Sequence, residues 1–148
     1  MKIPCKKLCD NAILPTRGTA LAAGVDLYAL LPDGMESVTI APQEKYLFPT
    51  GIAVEIPEGY TGLVFARSGI AVKRQLAPAN CVGVIDADYR GELRVFLQNN
   101  GTQPQSVENG ERIAQLVIVP CLDIEIEETD TLSETVRGTA GFGSTGRH

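Results

Sequence analysis

An all-β fold, either a sandwich or a closed barrel with one short helix and a glycine-rich C-terminal tail, is what this sequence predicts. Three observations carry that expectation. Fifteen Gly and nine Pro punctuate the 148 residues at short intervals, too often for long helices. Between them lie short segments in which apolar and polar residues alternate, the period of a strand with one buried face. Turn signals recur at roughly the spacing found in sandwiches and barrels.

Taken in order, Ala22 to Ala29 reads A-A-G-V-D-L-Y-A. Small residues there allow close backbone packing, and Asp26 is an acid in a strand-like apolar setting. An ion pair with an arginine competes, for Asp26, with a role beside a metal. Glu44 to Phe48 and Tyr60 to Phe65 supply strands, bounded by Pro49 to Gly51 and by Gly59. Ile52, Val54 and Ile56 alternate with Ala53 and Glu55 and stop at Pro57, a half-buried strand. Ser68 to Arg74 is the one credible helix, N-capped by Ser68 or by the turn around Arg67. Within A-R-S-G-I-A-V-K, Ala66 to Lys73, Ser68 and Gly69 offer a hydroxyl and an unobstructed N–H for an anion. An ordinary strand-to-helix turn is the blander reading of the same residues.

Gly83 to Glu92, G-V-I-D-A-D-Y-R-G-E, is the most informative stretch. Val84 and Ile85 favour a pleated backbone, while Asp86, Asp88 and Gly91 are turn formers. A hairpin tip holding the Asp86 carboxylate at the rim of a buried sheet is expected. Leu93, Val95 and Leu97 alternate with Arg94, Phe96 and Gln98 in a further strand. Ile113 to Val119 is nearly all apolar, as in a strand covered on both faces, and Pro120 ends it. Arg112 stands at its start, and Gln115 places an amide inside it that must find partners. Ile124 and Ile126, between Asp123, Glu125 and Glu127, suggest one more strand with a solvated face.

The tail from Arg137 to Gly146, R-G-T-A-G-F-G-S-T-G, cannot bury a core and is expected to be flexible. The chain therefore divides into one β domain, residues 1–136, and a tail, residues 137–148. A solvating tail has no need of Phe142, whereas backbone N–H groups, Arg137, Ser144 and Thr145 suit the wrapping of phosphates. Both readings stand on composition.

With 44% hydrophobic and 21% charged residues, the composition is that of a globular protein. A net charge of -5 argues against binding a nucleic-acid backbone. No segment is long and apolar enough for a membrane helix, and the N-terminus lacks the apolar core of a signal peptide. A cytoplasmic location is expected. The four cysteines match no zinc spacing, and the one histidine is His148, so Ser-His-Asp and Cys-His sites are improbable. P-loop and dinucleotide fingerprints are absent. Carboxylate chemistry with several phosphate-cradling loops remains, which points to a nucleotide substrate and a water nucleophile.

Together these stretches resemble the five motifs of the trimeric dUTPase family, in the family's order: Ala22 to Ala29, Ala66 to Lys73, Gly83 to Leu93, Arg112 to Pro120 and Arg137 to Gly146. The third and fifth are the most specific. The resemblance implies a jelly-roll fold, a distorted barrel of β-clip type. It implies a homotrimer with active sites shared between subunits. It also implies magnesium-assisted hydrolysis of dUTP to dUMP and pyrophosphate, which keeps uracil out of DNA and supplies dUMP for thymidylate synthesis.

By the same resemblance, Asp86 is the general base for the attacking water and Tyr89 packs beneath the deoxyribose. Asn80 and the backbone through Gly83, Val84 and Ile85 read uracil. Arg67, Ser68 and Gly69 hold the phosphate chain, and Gln115 lies beside the α-phosphate. Phe142 covers the base, while Arg137, Gly143, Ser144 and Thr145 take the distal phosphates. Magnesium binds through phosphates and waters with no direct protein ligand, and Asp26 supports that network. Ala66 and Ile70 depart from the family's usual proline and leucine. Two other readings compete: a dCTP deaminase or its bifunctional form, which shares the fold, and a nucleotide-binding module without turnover.

Overall fold

The computed structural model describes residues 1–141. Among them eleven strands and one helix follow in chain order: β1 (Cys5–Lys7), β2 (Val25–Tyr28), β3 (Ser37–Ile40), β4 (Lys45–Pro49), β5 (Ile52–Val54), β6 (Tyr60–Phe65), α1 (Ser68–Arg74), β7 (Leu76–Pro78), β8 (Gly83–Ile85), β9 (Arg94–Asn99), β10 (Gln105–Glu108) and β11 (Arg112–Pro120). Every pairing among them is antiparallel. The sheets run β2-β11-β6-β8, β4-β9-β7, β3-β10 and β1-β5.

Alternation builds the core. In β9, Val95, Leu97 and Asn99 point inward while Arg94 and Phe96 face out. Phe48, Leu27, Ile40, Ile52, Leu97 and Ile113 are among the fully buried side chains around which the sheets wrap. β11 is the longest strand and pairs on both edges, with β2 and with β6. Its first half is buried, at Ile113, Ala114 and Leu116, whereas Val117, Ile118 and Val119 are half-buried rather than covered on both faces.

The helix occupies Ser68–Arg74 as the sequence indicates, but its N-cap is Arg67, in extended backbone and without a side-chain cap hydrogen bond. Ser68 is thus the first helical residue. Two expectations fail. Ile124 and Ile126 form no strand and stand 71% and 85% exposed; β11 already has a neighbour on each edge, and the chain beyond Pro120 pairs with no other strand among the described residues. Nor is the Asp86 stretch a hairpin tip. β8 belongs to the sheet of β6, and β9 pairs with β4 and β7, so the loop between β8 and β9 crosses from one sheet to another. Contacts with β5 draw it there, since the Leu93 N–H donates to the Ile52 carbonyl at 2.9 Å.

All four cysteines are free thiols, and burial pushes the Cys5 thiol above its ordinary pKa. No helix among the described residues is long and apolar enough to cross a membrane.

Asn99 is the polar knot of the core. It is fully buried; its amide donates to the Ile40 and Gln103 carbonyls at 2.9 and 2.8 Å, and its oxygen accepts the Gly101 N–H at 2.9 Å. Asn99→Ala leaves these groups unmatched and is expected to cost about 2–4 kcal/mol. Urea unfolding at fixed protein concentration measures it; a loss below about 0.5 kcal/mol would refute the role.

Candidate active site

Two clusters of functional groups emerge, one on each side of β6. The first is built on Asp26. From the middle of β2, its carboxylate accepts Arg67 Nε at 2.8 Å and Arg112 Nη1 at 3.2 Å, one arginine on each oxygen. The Asp26 side chain is 13% exposed. Arg67 also donates to the Arg112 carbonyl at 3.2 Å. Register explains the gathering: Asp26 and Phe65 both sit opposite Gln115, on either side of β11. The Gln115 amide finds its partner in the Ala66 carbonyl at 3.0 Å, fixing the turn that leads to Ser68. Ser68 and Gly69 are exposed beside this cluster, and nothing lies within 4 Å of where a Gly69 Cβ would stand.

The second cluster is the turn after β8. β8 is the outer strand of its sheet, pairing with β6 through Ile85 opposite Gly62, Val84 opposite Leu63 and Gly83 opposite Val64. Its other edge carries no strand among the described residues, so N–H and C=O groups there are free for a ligand. Asn80 is exposed at the turn leading into it. Asp86 is exposed too, and its carbonyl accepts the Tyr89 N–H at 3.2 Å, which closes the turn. No ion pair among the described residues engages the Asp86 carboxylate. Arg90 instead clamps the turn, donating to the Ala87 and Tyr89 carbonyls at 2.6 and 3.0 Å. The Tyr89 ring lies over Gly91, where a Cβ would come within 2.3 Å of its hydroxyl oxygen.

The clusters do not meet within one chain. Asp86 follows Ile85, opposite the start of β6, whereas Ser68 lies three residues beyond its end at Phe65. The strand from Thr61 to Phe65 alone spans about 13 Å. Arg137 is exposed and donates to the Ala140 carbonyl at 3.0 Å; Phe142, Gly143, Ser144 and Thr145 lie outside the described residues. Arg112, Arg90, Gly91 and Glu92 had no assigned role from the sequence. The run Y-R-G-E held the signal, since a glycine two residues after an exposed aromatic leaves room for its ring.

The molecule is an antiparallel β fold that holds one carboxylate between two arginines. Elsewhere on the same sheet it carries a strand edge, without a further strand among the described residues, that runs into an acid in no ion pair among them. The dUTPase family model matches residues 10–146, and the chain belongs to that family. A deoxyuridine 5'-triphosphate nucleotidohydrolase of Beijerinckia indica subsp. indica is 52% identical over 137 residues, which cover 93% of this chain and 85% of that protein. One from Hydrogenobaculum sp. is 47% identical over 146 residues, 99% of each. Among solved structures, a mutant dUTPase of Staphylococcus bacteriophage 80alpha with dUpNHpp superposes with a TM-score of 0.87 at 34% identity, over 98% of each chain. A mutant dUTPase from phage phi11 of S. aureus, described with a structural Mg(II) ion, gives 0.78 at 30% identity over 88% of this chain and 98% of that one. The barrel is thus the jelly roll of that family.

The Asp26–Arg67 contact should show as energetic coupling. In a double-mutant cycle of Asp26→Ala and Arg67→Ala, urea unfolding is expected to give a coupling of about 1–2 kcal/mol. Strict additivity would mean that the pair is only a surface contact.

Proposed function

We propose that this chain hydrolyses dUTP to dUMP and pyrophosphate, with Asp86 as general base. The observation that carries the site assignment is the β8 edge, without a further strand among the described residues, running straight into a carboxylate in no ion pair among them. Uracil presents a donor flanked by two acceptors, and a strand edge offers the complementary groups without any base-reading side chain. Gly83, Val84 and Ile85 supply that edge, Asn80 flanks it, and Tyr89 forms the floor beneath the deoxyribose. Asp86 takes a proton from water as the oxygen attacks the α-phosphorus, and pyrophosphate leaves on the opposite side.

Phosphate binding falls to the other cluster. Arg67, held by Asp26 and by the Arg112 carbonyl, stands behind Ser68 and Gly69, while Gln115 lies on the α-phosphate side. Preorganised donors and neutralised charge are most of what phosphoryl transfer asks of a protein. Because the clusters lie at opposite ends of β6, the complete site takes its base-reading edge from one subunit and its phosphate cluster from another. A homotrimer with shared sites meets that requirement. The tail from Arg137 then closes over the nucleotide, with Phe142 on the base and Gly143, Ser144 and Thr145 on the distal phosphates.

The donor set fits magnesium carried by the substrate. Among the described residues no three of His, Cys, Asp and Glu gather, and both Asp26 oxygens already hold arginine donors. Asp26 would support the ion's waters through its remaining lone pairs. When bound, the ion supplies charge neutralisation along the triphosphate. The free thiols suit a reducing, cytoplasmic compartment.

A panel of dUTP, dCTP, dTTP and UTP with magnesium tests the reading. Pyrophosphate release from dUTP alone is expected; ammonia from dCTP would mark a deaminase, and no turnover a binding module. Asp86→Asn should bind dUTP while losing about 10²–10⁴ in kcat, and near-normal turnover would remove Asp86 from the role. Truncation before Arg137 should leave a folded trimer with kcat reduced by about 10² or more. Full activity would leave the tail without a part in closure.

A further inference from the structure

Glu92 takes no part in the mechanism above, yet it joins the turn to the core. Its side chain is 17% exposed. One carboxylate oxygen accepts the Gly51 N–H at 2.8 Å, and the other lies 2.7 Å from Arg94 Nε. The Glu92 backbone carbonyl accepts the Tyr89 hydroxyl at 3.1 Å.

Gly51 itself has no room for a side chain. It adopts φ +67, and a Cβ there would lie 2.6 Å from Leu30 Cδ2 and 2.8 Å from the Ala12 Cβ. On either side, Thr50 Oγ1 donates to the Leu93 carbonyl at 2.5 Å and the Leu93 N–H to the Ile52 carbonyl at 2.9 Å. A line of contacts therefore runs from the turn between β4 and β5, through Glu92, to the tip of the Tyr89 ring. The ring is 44% exposed and has no side chain at Gly91 to prop it. Its anchors are the turn at its Cα and the Glu92 carbonyl at its hydroxyl.

We propose that Glu92 is a positioning residue for sugar discrimination. By holding its own backbone against Gly51, it fixes the carbonyl that receives the Tyr89 hydroxyl, and with it the height of the ring under the sugar. An apolar surface rejects an added hydroxyl only weakly, by about 10²-fold. Exclusion of a 2′-hydroxyl by the flat side of an aromatic ring therefore depends on that ring being unable to yield, within about 0.5 Å. Glu92 makes it unyielding. This inference rests on the reading of Tyr89 as the floor beneath the deoxyribose.

The test compares kcat/KM for dUTP and for UTP, with magnesium, on the full-length protein. Glu92→Ala is expected to lower the dUTP-to-UTP ratio about tenfold, mainly through a higher KM for dUTP and a lower one for UTP. Tyr89→Phe, which cuts the same line at its other end, should lower the ratio equally. Glu92→Gln keeps an oxygen for the Gly51 N–H and should hold the native ratio. A purely structural residue would lower thermal stability and leave the ratio alone.

An unchanged ratio in Glu92→Ala, alongside a reduced one in Tyr89→Ala, would overturn the inference and spare the reading of Tyr89. An unchanged ratio in Tyr89→Ala would overturn both. A Glu92→Gln ratio as low as that of Glu92→Ala would also overturn it, by moving the effect to the Arg94 ion pair. Should Glu92→Ala fail to fold, Tyr89→Phe decides alone: a native ratio there removes the carbonyl anchor from discrimination.

Discussion

Strand β6 is hydrogen-bonded along both edges, to β11 on one side and β8 on the other, and the rest of the molecule depends on that register. A slip of one residue would turn Val64 out of the core and Leu63 into it. Because the pairing is fixed, the distance between the Asp86 turn and the Ser68 turn is fixed as well. One chain then holds its two clusters toward opposite ends of β6, which is the arrangement the proposed shared site requires. The division has a physical merit. Both clusters are carried by the one sheet β2-β11-β6-β8, so on the proposed function the parts of the nucleotide would be oriented by preorganised elements.

Charge is arranged in the same local fashion. The chain as a whole is acidic, at -5. At Asp26, Arg67 and Arg112 are nonetheless concentrated around a single shielded carboxylate. That carboxylate costs some of the positive field but fixes where the guanidinium groups point, and bidentate or forked donation depends on direction. Arg74 is placed in a comparable way, donating to Glu111, to the Ser106 carbonyl and to Gln105 Oε1, so the end of α1 is held against β10.

The fold class was legible because period-two patterning survives wherever a strand has one buried face, as in β5 and β9. The helix was legible from its bounds in turn residues. Ile124 and Ile126 misled for the same reason: their alternation is real, but a strand exists only with a partner, and pattern carries no information about which edges are taken. The Asp86 loop misled at the level of topology, since turn chemistry is alike in a hairpin and in a crossover between sheets. Of the site, Asp86 and Tyr89 were visible as an acid and an aromatic where neither helps folding. An arginine partner for Asp26 was foreseen as one of two readings, but not that there are two or which they are, because the sequence separates Arg67 and Arg112 from it by 41 and 86 positions.

The open side of β8 carries one further consequence. An unpaired strand edge is a template on which another chain can add itself, and exposed Val84, at 62%, would reward such growth. This edge is only three residues long and is followed at once by Asp86 and Asp88, so an incoming strand gains few backbone bonds and meets like-charged or desolvated carboxylates. The shortness of the edge and the acids after it, which stop polymerisation, still leave room for the small planar base of the proposed function. On the proposed function, the edge that would read the substrate also guards against aggregation.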